Sequence, residues 1–391
     1  MKKLLSLALS ILIALSLAAC GNSEERSGAS SPDSTQQPAV NSTSPSTVPS
    51  TGEDGGTATP NIVPSDLKAS EGLEFESNGD GTCTLVGMGV CTDTDLVIPT
   101  ESPDGDTVTL IEEYAFMSLE DVDSVTLLNY NYEVEDGAFQ YAEMTAVSII
   151  GGAPFIGENA FSSCEDLTSI TLQQCALQLD QYAFFDCGNG ATVSFVDCTG
   201  TVDKYAFQYS DLVSLSMDGC DLTLEESVFS SCEDLTAITL QDSTITAMEY
   251  SFYGVGDSAN VTIDHCALTL DDYAFQFSSL GEVKITGDFL EVGESAFSSC
   301  EDLTAVTIDC ASVTLGEDAF FGCEDLTTVA ICDNGESDNA VYLDDGAFQY
   351  CSCLTSVTVG NGTIELGDAI FYGCAENLSV SIAGKPYTAL D

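Results

Sequence analysis

The chain has 391 residues, with 64 acidic against 7 basic side chains and a formal charge of −57. A polyanion of that strength repels nucleic acid and anionic lipid headgroups, which excludes a nucleic-acid-binding role and favours cationic or divalent-ion partners. Hydrophobic residues nevertheless make up 44% of the chain, so the acids must coat the outside of a well-packed body.

Lys2 and Lys3 precede an apolar run, Leu4 to Ala19, that stops at Leu17-Ala18-Ala19-Cys20. The run is short for a membrane span and has the charged-then-apolar layout of a secretory signal. The residues before Cys20 resemble the lipobox of bacterial lipoproteins. That resemblance implies a lipoprotein signal peptide over 1–20, lipid attachment at Cys20 and an extracytoplasmic chain at the bacterial cell surface, anchored to the membrane by its N-terminal lipid. Loss of Lys2 and Lys3 with the leader leaves 64 acids against 5 bases. Residues 21–66 are dominated by Ser, Thr, Pro, Gly and Asn, cannot offset the entropy of ordering, and are expected to form a disordered tether that gives reach.

The rest of the chain is a repeat. Phe stands at 116, 139, 161, 184, 207, 229, 252, 275, 297, 320, 348 and 371, at intervals of 22 or 23 residues except for one of 28. Ala precedes nine of these twelve, and a short apolar alternation such as Ile170-Thr171-Leu172 or Val357-Thr358-Val359 follows each. Alternation is the mark of a strand with one buried face, and its recurrence predicts parallel strands stacked side by side. No coil alone can bury its Phe, so stacking supplies the core. The expected fold is a mainly β repeat solenoid over 106–391, with about 12 coils of 22–23 residues and a length on the order of 55–60 Å. A longer period overlies the first: Phe161 to Leu167 returns at Phe229 to Leu235 and at Phe297 to Leu303, a step of 68 residues or three coils.

Segments such as IGENAFSSCEDLTSITL (Ile156–Leu172) and LGEDAFFGCEDLTTVAI (Leu315–Ile331) resemble the BspA-like, or treponemal-type, leucine-rich repeat. The segment Phe75 to Pro99 resembles the N-terminal capping hairpin of such proteins, which assigns 67–105 to a β-hairpin cap. The resemblance implies a leucine-rich-repeat horseshoe or arc with short helical turns, exposed on a bacterial surface and binding host or neighbouring-cell molecules. It implies no reaction.

Stacking turns each repeat position into a ladder. Three residues before the Phe stand Glu113, Asp136, Glu158, Glu226, Glu249, Asp272, Glu294, Glu317, Asp345 and Asp368. Such acids are expected to cap a single helical turn; weak calcium binding at Glu226, Glu249, Asp272 and Glu294 is the alternative. The exposed middle residues of the strands are Thr126, Ser148, Thr171, Ser194, Ser216, Thr239, Thr262, Lys284, Thr307, Ala330, Thr358 and Ser381. This low, hydroxyl-rich row is the candidate binding face, concave in horseshoes of the family, although β-branched hydroxyls also simply suit strands. A flat Thr array would also suit ice, but Lys284 and Ala330 interrupt it. Seven cysteines sit three residues after the Phe, from Cys164 to Cys374, and Cys175, Cys198, Cys220 and Cys266 recur beyond the strands. They read as buried thiols filling narrow corners, with Cys83 and Cys91 as the candidate disulfide.

Nothing points to catalysis, a metal site or a cofactor. The one histidine, His265, adjoins Cys266, and neighbours in an extended chain point to different sides. The interval of 28 places extra turn-forming residues at Cys332 to Asn339, making Asp333, Asn334, Glu336, Asp338 and Asn339 a candidate contact loop. The expected function is non-catalytic recognition of an extracellular protein or glycan by a monomeric solenoid. A passive acidic spacer that binds calcium weakly is the alternative, and a hydrolytic enzyme the most distant one.

Overall fold

Residues 67–256, 258–332 and 339–388 are described by a computed structural model. Each coil runs through two strands rather than one. The alternation at Ile170-Thr171-Leu172 lies in the strand Ser169–Gln173, and a tight corner then leads into a second strand, Ala176–Leu179. Both strands bury every other residue: Ile170 and Leu172 from the first meet Leu177 and Leu179 from the second inside the coil. In three coils the pair runs on as one long strand, Ala259–Leu270, Leu280–Val292 and Ala305–Leu315.

Coil-to-coil pairing is parallel throughout the described residues, and it forms two ladders of thirteen strands. The first begins at Asp95–Ile98 and ends at Ser379–Ile382. The second begins at Thr82–Gly87 and ends at Thr363–Leu366. The Asp95–Ile98 coil precedes the first Phe of the series, which is why thirteen turns exceed the twelve counted from phenylalanines. At the N-terminal end Glu74–Ser77 pairs antiparallel with Thr82–Gly87 across Asn78-Gly79-Asp80-Gly81, and this hairpin is the expected cap.

The segment around each Phe departs from expectation. There is no helix among the described residues, and the anticipated helical turns are instead linked turns that share their amides between two partners. Around Phe139, the amides of Ala138, Gln140 and Ala142 close local turns onto Glu135, Gly137 and Phe139. The alternating amides of Gly137, Phe139 and Tyr141 donate to Glu158, Ala160 and Ser162 of the next coil, at 2.9, 2.7 and 3.1 Å. A helix would satisfy all of these amides internally and leave the coils unlinked. The alternation requires left-handed backbone two residues before and two after every Phe, and all twelve coils show it, as at Asn159 and Ser163 or Tyr205 and Tyr209.

The Phe rings stack on one another from Phe116 to Phe371. Their centroids lie 4.6 to 6.0 Å apart with planes within 16°. Every ring has two like neighbours except at the ends. The C-terminal end is closed by a second hairpin that the sequence did not announce: Ser379–Ile382 turns through Ala383 and Gly384, both left-handed, into Lys385–Tyr387. Left-handed backbone at both turn residues is the geometry of a two-residue hairpin. Its Tyr387 ring packs edge-on against Phe371 at 6.4 Å and covers the last ring of the spine.

Because Phe229 is fully buried between two rings, Phe229→Ala is expected to cost about 3–5 kcal/mol of unfolding free energy. Phe371→Ala, with one Phe neighbour, is expected to cost less than that. Urea denaturation of the two variants measures the difference.

Candidate recognition surfaces

The first ladder sets the hydroxyl row in strict register. Thr126 pairs with Ser148, Ser148 with Thr171, and the series continues through Lys284 and Ala330 to Ser381 without a slip. Thr126, Ser148, Thr171, Ser194 and Ser216 are half-buried, whereas Thr239, Thr262, Lys284 and Thr307 are exposed. The row is therefore most accessible in the middle of the array. At the entrance to the strands a further threonine ladder ties coils together. Thr168 donates through Oγ1 to the Thr145 carbonyl at 3.1 Å, Thr304 to that of Gly281 at 2.9 Å and Thr327 to that of Thr304 at 2.9 Å.

The acidic ladder divides by side-chain length. Its aspartates fasten neighbouring coils: Oδ1 of Asp136 accepts from the Glu158 amide at 3.0 Å, that of Asp272 from Glu294 at 2.7 Å, and that of Asp345 from Asp368 at 2.6 Å. This replaces the expected cap within one coil. Opposite each of these aspartates the next coil carries Gly157, Gly293 or Gly367. A Cβ on those glycines would stand 2.9, 2.6 and 2.5 Å from the same Oδ1, so glycine is the residue that leaves room for the bond. The longer glutamates reach outward. Tyr205 and Tyr273 donate from their phenols to Glu226 and Glu294 at 3.2 and 3.3 Å, and Lys204 donates to Glu226 at 2.9 Å. Burial first, and Glu226 second, raises the Tyr205 phenol pKa; Glu294 is the main cause of the rise at Tyr273. Among the described residues no group of three or more His, Cys, Asp or Glu is gathered as a metal-holding cluster, and this includes Glu226, Glu249, Asp272 and Glu294.

The cysteines are hydrogen-bond donors as well as space fillers. Three residues after nine of the twelve Phe residues, a thiol or hydroxyl donates to the carbonyl of the preceding coil's Phe; Leu119, Ala142 and Val255 hold the position in the other three. Cys164 reaches Phe139 at 3.2 Å, Cys187 reaches Phe161 at 2.8 Å, and Ser210 and Ser278 do the same to Phe184 and Phe252 at 2.8 and 2.9 Å. Serine in two of these places makes the same donation as cysteine. At the corner between strands Cys175, Cys198, Cys220 and Cys266 likewise donate to nearby carbonyls, with Ser243 standing in the same place. All sixteen cysteines of the described residues are free, and fourteen are buried. Cys83 and Cys91 are among them, and Cys83 faces the Asp106 carbonyl at 3.6 Å.

His265 occupies a left-handed corner, its side chain 72% exposed, with Nδ1 3.5 Å from Asp264 and 3.8 Å from Asp242. Cys266 turns inward and is buried. The two side chains point to opposite sides of the wall and form no nucleophile pair. Of the candidate contact loop only Asn339 is described; it is 4% exposed and its carbonyl accepts from the Thr363 amide at 2.9 Å. Asp333, Asn334, Glu336 and Asp338, like Cys20 and residues 21–66, lie outside the described residues.

Sequence reasoning passed over the aromatic residues that flank the Phe spine. Tyr182, Phe185, Tyr205 and Tyr209 form one contact group on the turn face, with ring centroids 5.2 to 5.7 Å apart. Tyr250, Tyr253, Tyr273 and Phe277 repeat it 68 residues later at 5.2 to 5.7 Å. The signal was available: aromatics at these flanking positions follow the three-coil period and alternate with the Phe-Ser-Ser coils.

Comparison with known proteins agrees with this architecture. The model of the BspA-type leucine-rich repeat region matches residues 98–214, 200–327 and 336–388, in six copies. The chain belongs to the BspA-type leucine-rich repeat family. No curated protein matches it. Similar solved structures include a leucine-rich repeat protein from Bacteroides ovatus, 19% identical, covering 81% of this chain and 94% of its own, with a TM-score of 0.33. A leucine-rich cell surface protein from Faecalibacterium prausnitzii has the same identity and coverages with a TM-score of 0.32. The pneumococcal vaccine antigen PcpA is 15% identical over 81% of this chain and 87% of its own, with a TM-score of 0.26.

Two outcomes follow for this BspA-type chain. Asp272→Ala removes the acceptor of the Glu294 amide and is expected to cost about 1 kcal/mol, while Glu317→Ala, on the same ladder and exposed, is expected to cost less than about 0.5 kcal/mol in thermal or urea unfolding. Burial pushes the thiols of Cys232, Cys310 and Cys374 up to about 12 from an ordinary 9.0. The folded chain therefore keeps protons that the unfolded chain releases above about pH 9, so this stabilisation is complete below that pH and lost as pH rises toward about 12. A melting temperature that is level from pH 7 to about 8.5 and falls above about pH 9 is the expected profile.

Proposed function

We propose that this chain is a lipid-anchored, non-catalytic binding module displayed outside the cell, tethered by residues 21–66 and recognising an extracellular protein or glycan through its solenoid surface. The observation that carries the reading is the unbroken register of the hydroxyl row. Eleven of twelve successive strands present a small side chain at one position, Lys284 being the exception, so a partner can approach the sheet closely along most of its length. Side chains at the centre of such a face offer hydroxyl donors and acceptors with little rotamer entropy to lose on binding. Two depressions among the described residues are open, one of about 400 Å³ near Phe371 and Glu376 and one of about 260 Å³ near Thr314 and Tyr342. An extended contact suits this surface better than a small enclosed ligand.

The anchor follows from Leu17-Ala18-Ala19-Cys20, and the aqueous tether from the composition behind it. The candidate loop at 333–339 interrupts the copied repeat and is proposed as an accessory contact. The test is a binding screen of the full chain carrying Cys20→Ser, immobilised and probed with extracellular proteins and glycans. Saturable binding is expected, and Thr239→Gln with Thr262→Gln, which adds bulk at the exposed centre of the row, is expected to weaken it at least about tenfold. A chain that captures nothing saturably is an acidic spacer, and the proposal then fails.

A further inference from the structure

Most of the exposed large apolar side chains among the described residues lie off the strands, with Phe289 and Tyr342 as the strand-borne exceptions. Of eleven large hydrophobic side chains exposed among the described residues, seven lie on the turn face beside the Phe spine: Tyr114, Met117, Tyr141, Tyr209, Phe277, Tyr350 and Tyr372. They are sorted into bands by the three-coil period. Two aromatic-bearing coils alternate with one Phe-Ser-Ser coil, so that Ser163, Ser231 and Ser299 stand where Tyr209 and Phe277 stand in other coils. Concentrated apolar exposure on an otherwise polar surface marks a contact site.

The stacking of coils does not require these residues, although Tyr209, Phe277 and Tyr350 each meet an aromatic neighbour edge-on. Tyr141, Tyr209, Tyr350 and Phe277 occupy left-handed backbone at φ of 58 to 61°, a conformation in which Gly or Asn costs less than an aromatic. The serine coils adopt the same backbone and stack equally well. The aromatic side chains thus add solvent-exposed area where the repeat can be built without it.

The surroundings of the rings are acidic. In the third band Glu249, Asp272 and Glu294 accompany Tyr250, Tyr253, Tyr273 and Phe277, and Glu294 accepts directly from Tyr273. In the second band Lys204 is the one base, and it is already paired with Glu226. We infer that the aromatic bands of the turn face dock an arginine- or lysine-rich segment of a partner polypeptide, its cations lying on the ring faces and its remaining charge meeting the flanking carboxylates. This inference rests on the reading of the chain as a binding module and concerns a surface separate from the hydroxyl row.

Aromatic faces attract cations, guanidinium above all, and an adjacent carboxylate adds a charge-assisted bond. Charge complementarity selects this occupant. A second copy of a chain with a formal charge of −57 is repelled, as is an anionic bilayer or a nucleic acid. Successive bands are three coils apart, about 15 Å at strand spacing, which an extended peptide spans in four to five residues. The same partner segment can therefore engage two or more bands at once and gain avidity. The third band, without a base of its own, is the stronger of the two central ones.

The test uses the full chain carrying Cys20→Ser, titrated against a fluorescent peptide with three arginines five residues apart and against the same peptide with citrulline in their place. Saturable binding of the arginine peptide is expected, with the citrulline peptide at least about tenfold weaker and affinity falling at least about tenfold between ~50 and ~300 mM salt. Tyr253→Ser with Phe277→Ser is expected to lower affinity about tenfold, and adding Phe185→Ser with Tyr209→Ser to lower it further. Serine at these places is native to Ser230, Ser231, Ser298 and Ser299, so the variants retain the fold, which a melting curve checks. Lys204→Gln, which frees Glu226, is expected to strengthen binding about two- to threefold.

Failure of the wild-type chain to bind the arginine peptide overturns the inference, as does equal binding of the citrulline peptide or unchanged affinity in the band variants. Salt-insensitive binding of a neutral oligosaccharide at the bands, with none of the peptide, also overturns it. A partner lost through Thr239→Gln with Thr262→Gln but not through the band variants sinks this inference and leaves the binding module standing.

Discussion

Everything in this molecule is subordinate to one constraint: each coil must hydrogen-bond to the next at strand spacing over two parallel ladders and a chain of turns. Whatever side chain occupies a repeat position is then stacked on its own copy, and only residues that tolerate that company survive there. Phenylalanine does, because offset rings at 4.6 to 6.0 Å attract and exclude water. A bare carboxylate does not, since like charges stacked at that distance repel. The aspartates meet the difficulty by accepting an amide from the following coil, which is why glycine faces Asp136, Asp272 and Asp345. The thiols and hydroxyls beyond nine of the twelve Phe residues meet the opposite need, giving a donor to a carbonyl that the turns leave over.

This division explains what the sequence disclosed. The Phe spine and the parallel first ladder were legible because Phe and the Ile-Thr-Leu type of alternation return at fixed intervals, whereas the N-terminal hairpin was expected from the resemblance of Phe75 to Pro99 to the family's cap. The second ladder was not, since Glu133-Val134, Phe155-Ile156 and Thr199-Gly200-Thr201-Val202 are too short or too polar to display a period of two. The turn segment misled for a physical reason: an acid, a small residue and a buried Phe is also the pattern of a capped helix. What tells the two apart is left-handed backbone at Tyr182, Tyr205 or Phe277, and bulky aromatics are poor predictors of that conformation. Serine at 210 and 278 held the clue to the cysteine positions. Where a hydroxyl takes the thiol's place, the shared property is the donor, while Leu119, Ala142 and Val255 fill the position by volume alone.

Outward-facing positions obey a looser rule, and there the two candidate surfaces differ in kind. The hydroxyl row is nearly uniform from coil to coil, as expected of a position still governed by strand packing. The aromatic bands change with the three-coil period, so their spacing is written by duplication rather than by the stacking rule. Copying a triplet multiplies a contact group together with its acidic frame and its serine-lined gap. Recognition by such an array is set by how many groups a partner reaches at once, whereas the hydroxyl row offers a continuous track without fixed stations.

The hairpin at Ser379–Tyr387 gives the array a property that neither surface explains. A stack of parallel strands has two open rims, and an open rim is a template on which another molecule can grow. Here the C-terminal rim of the first ladder is occupied by a folded-back strand that carries Pro386, which has no amide to offer a newcomer. Along its first ladder, a body built from near-identical, self-adhering slabs is thereby closed to the addition of another strand at this end.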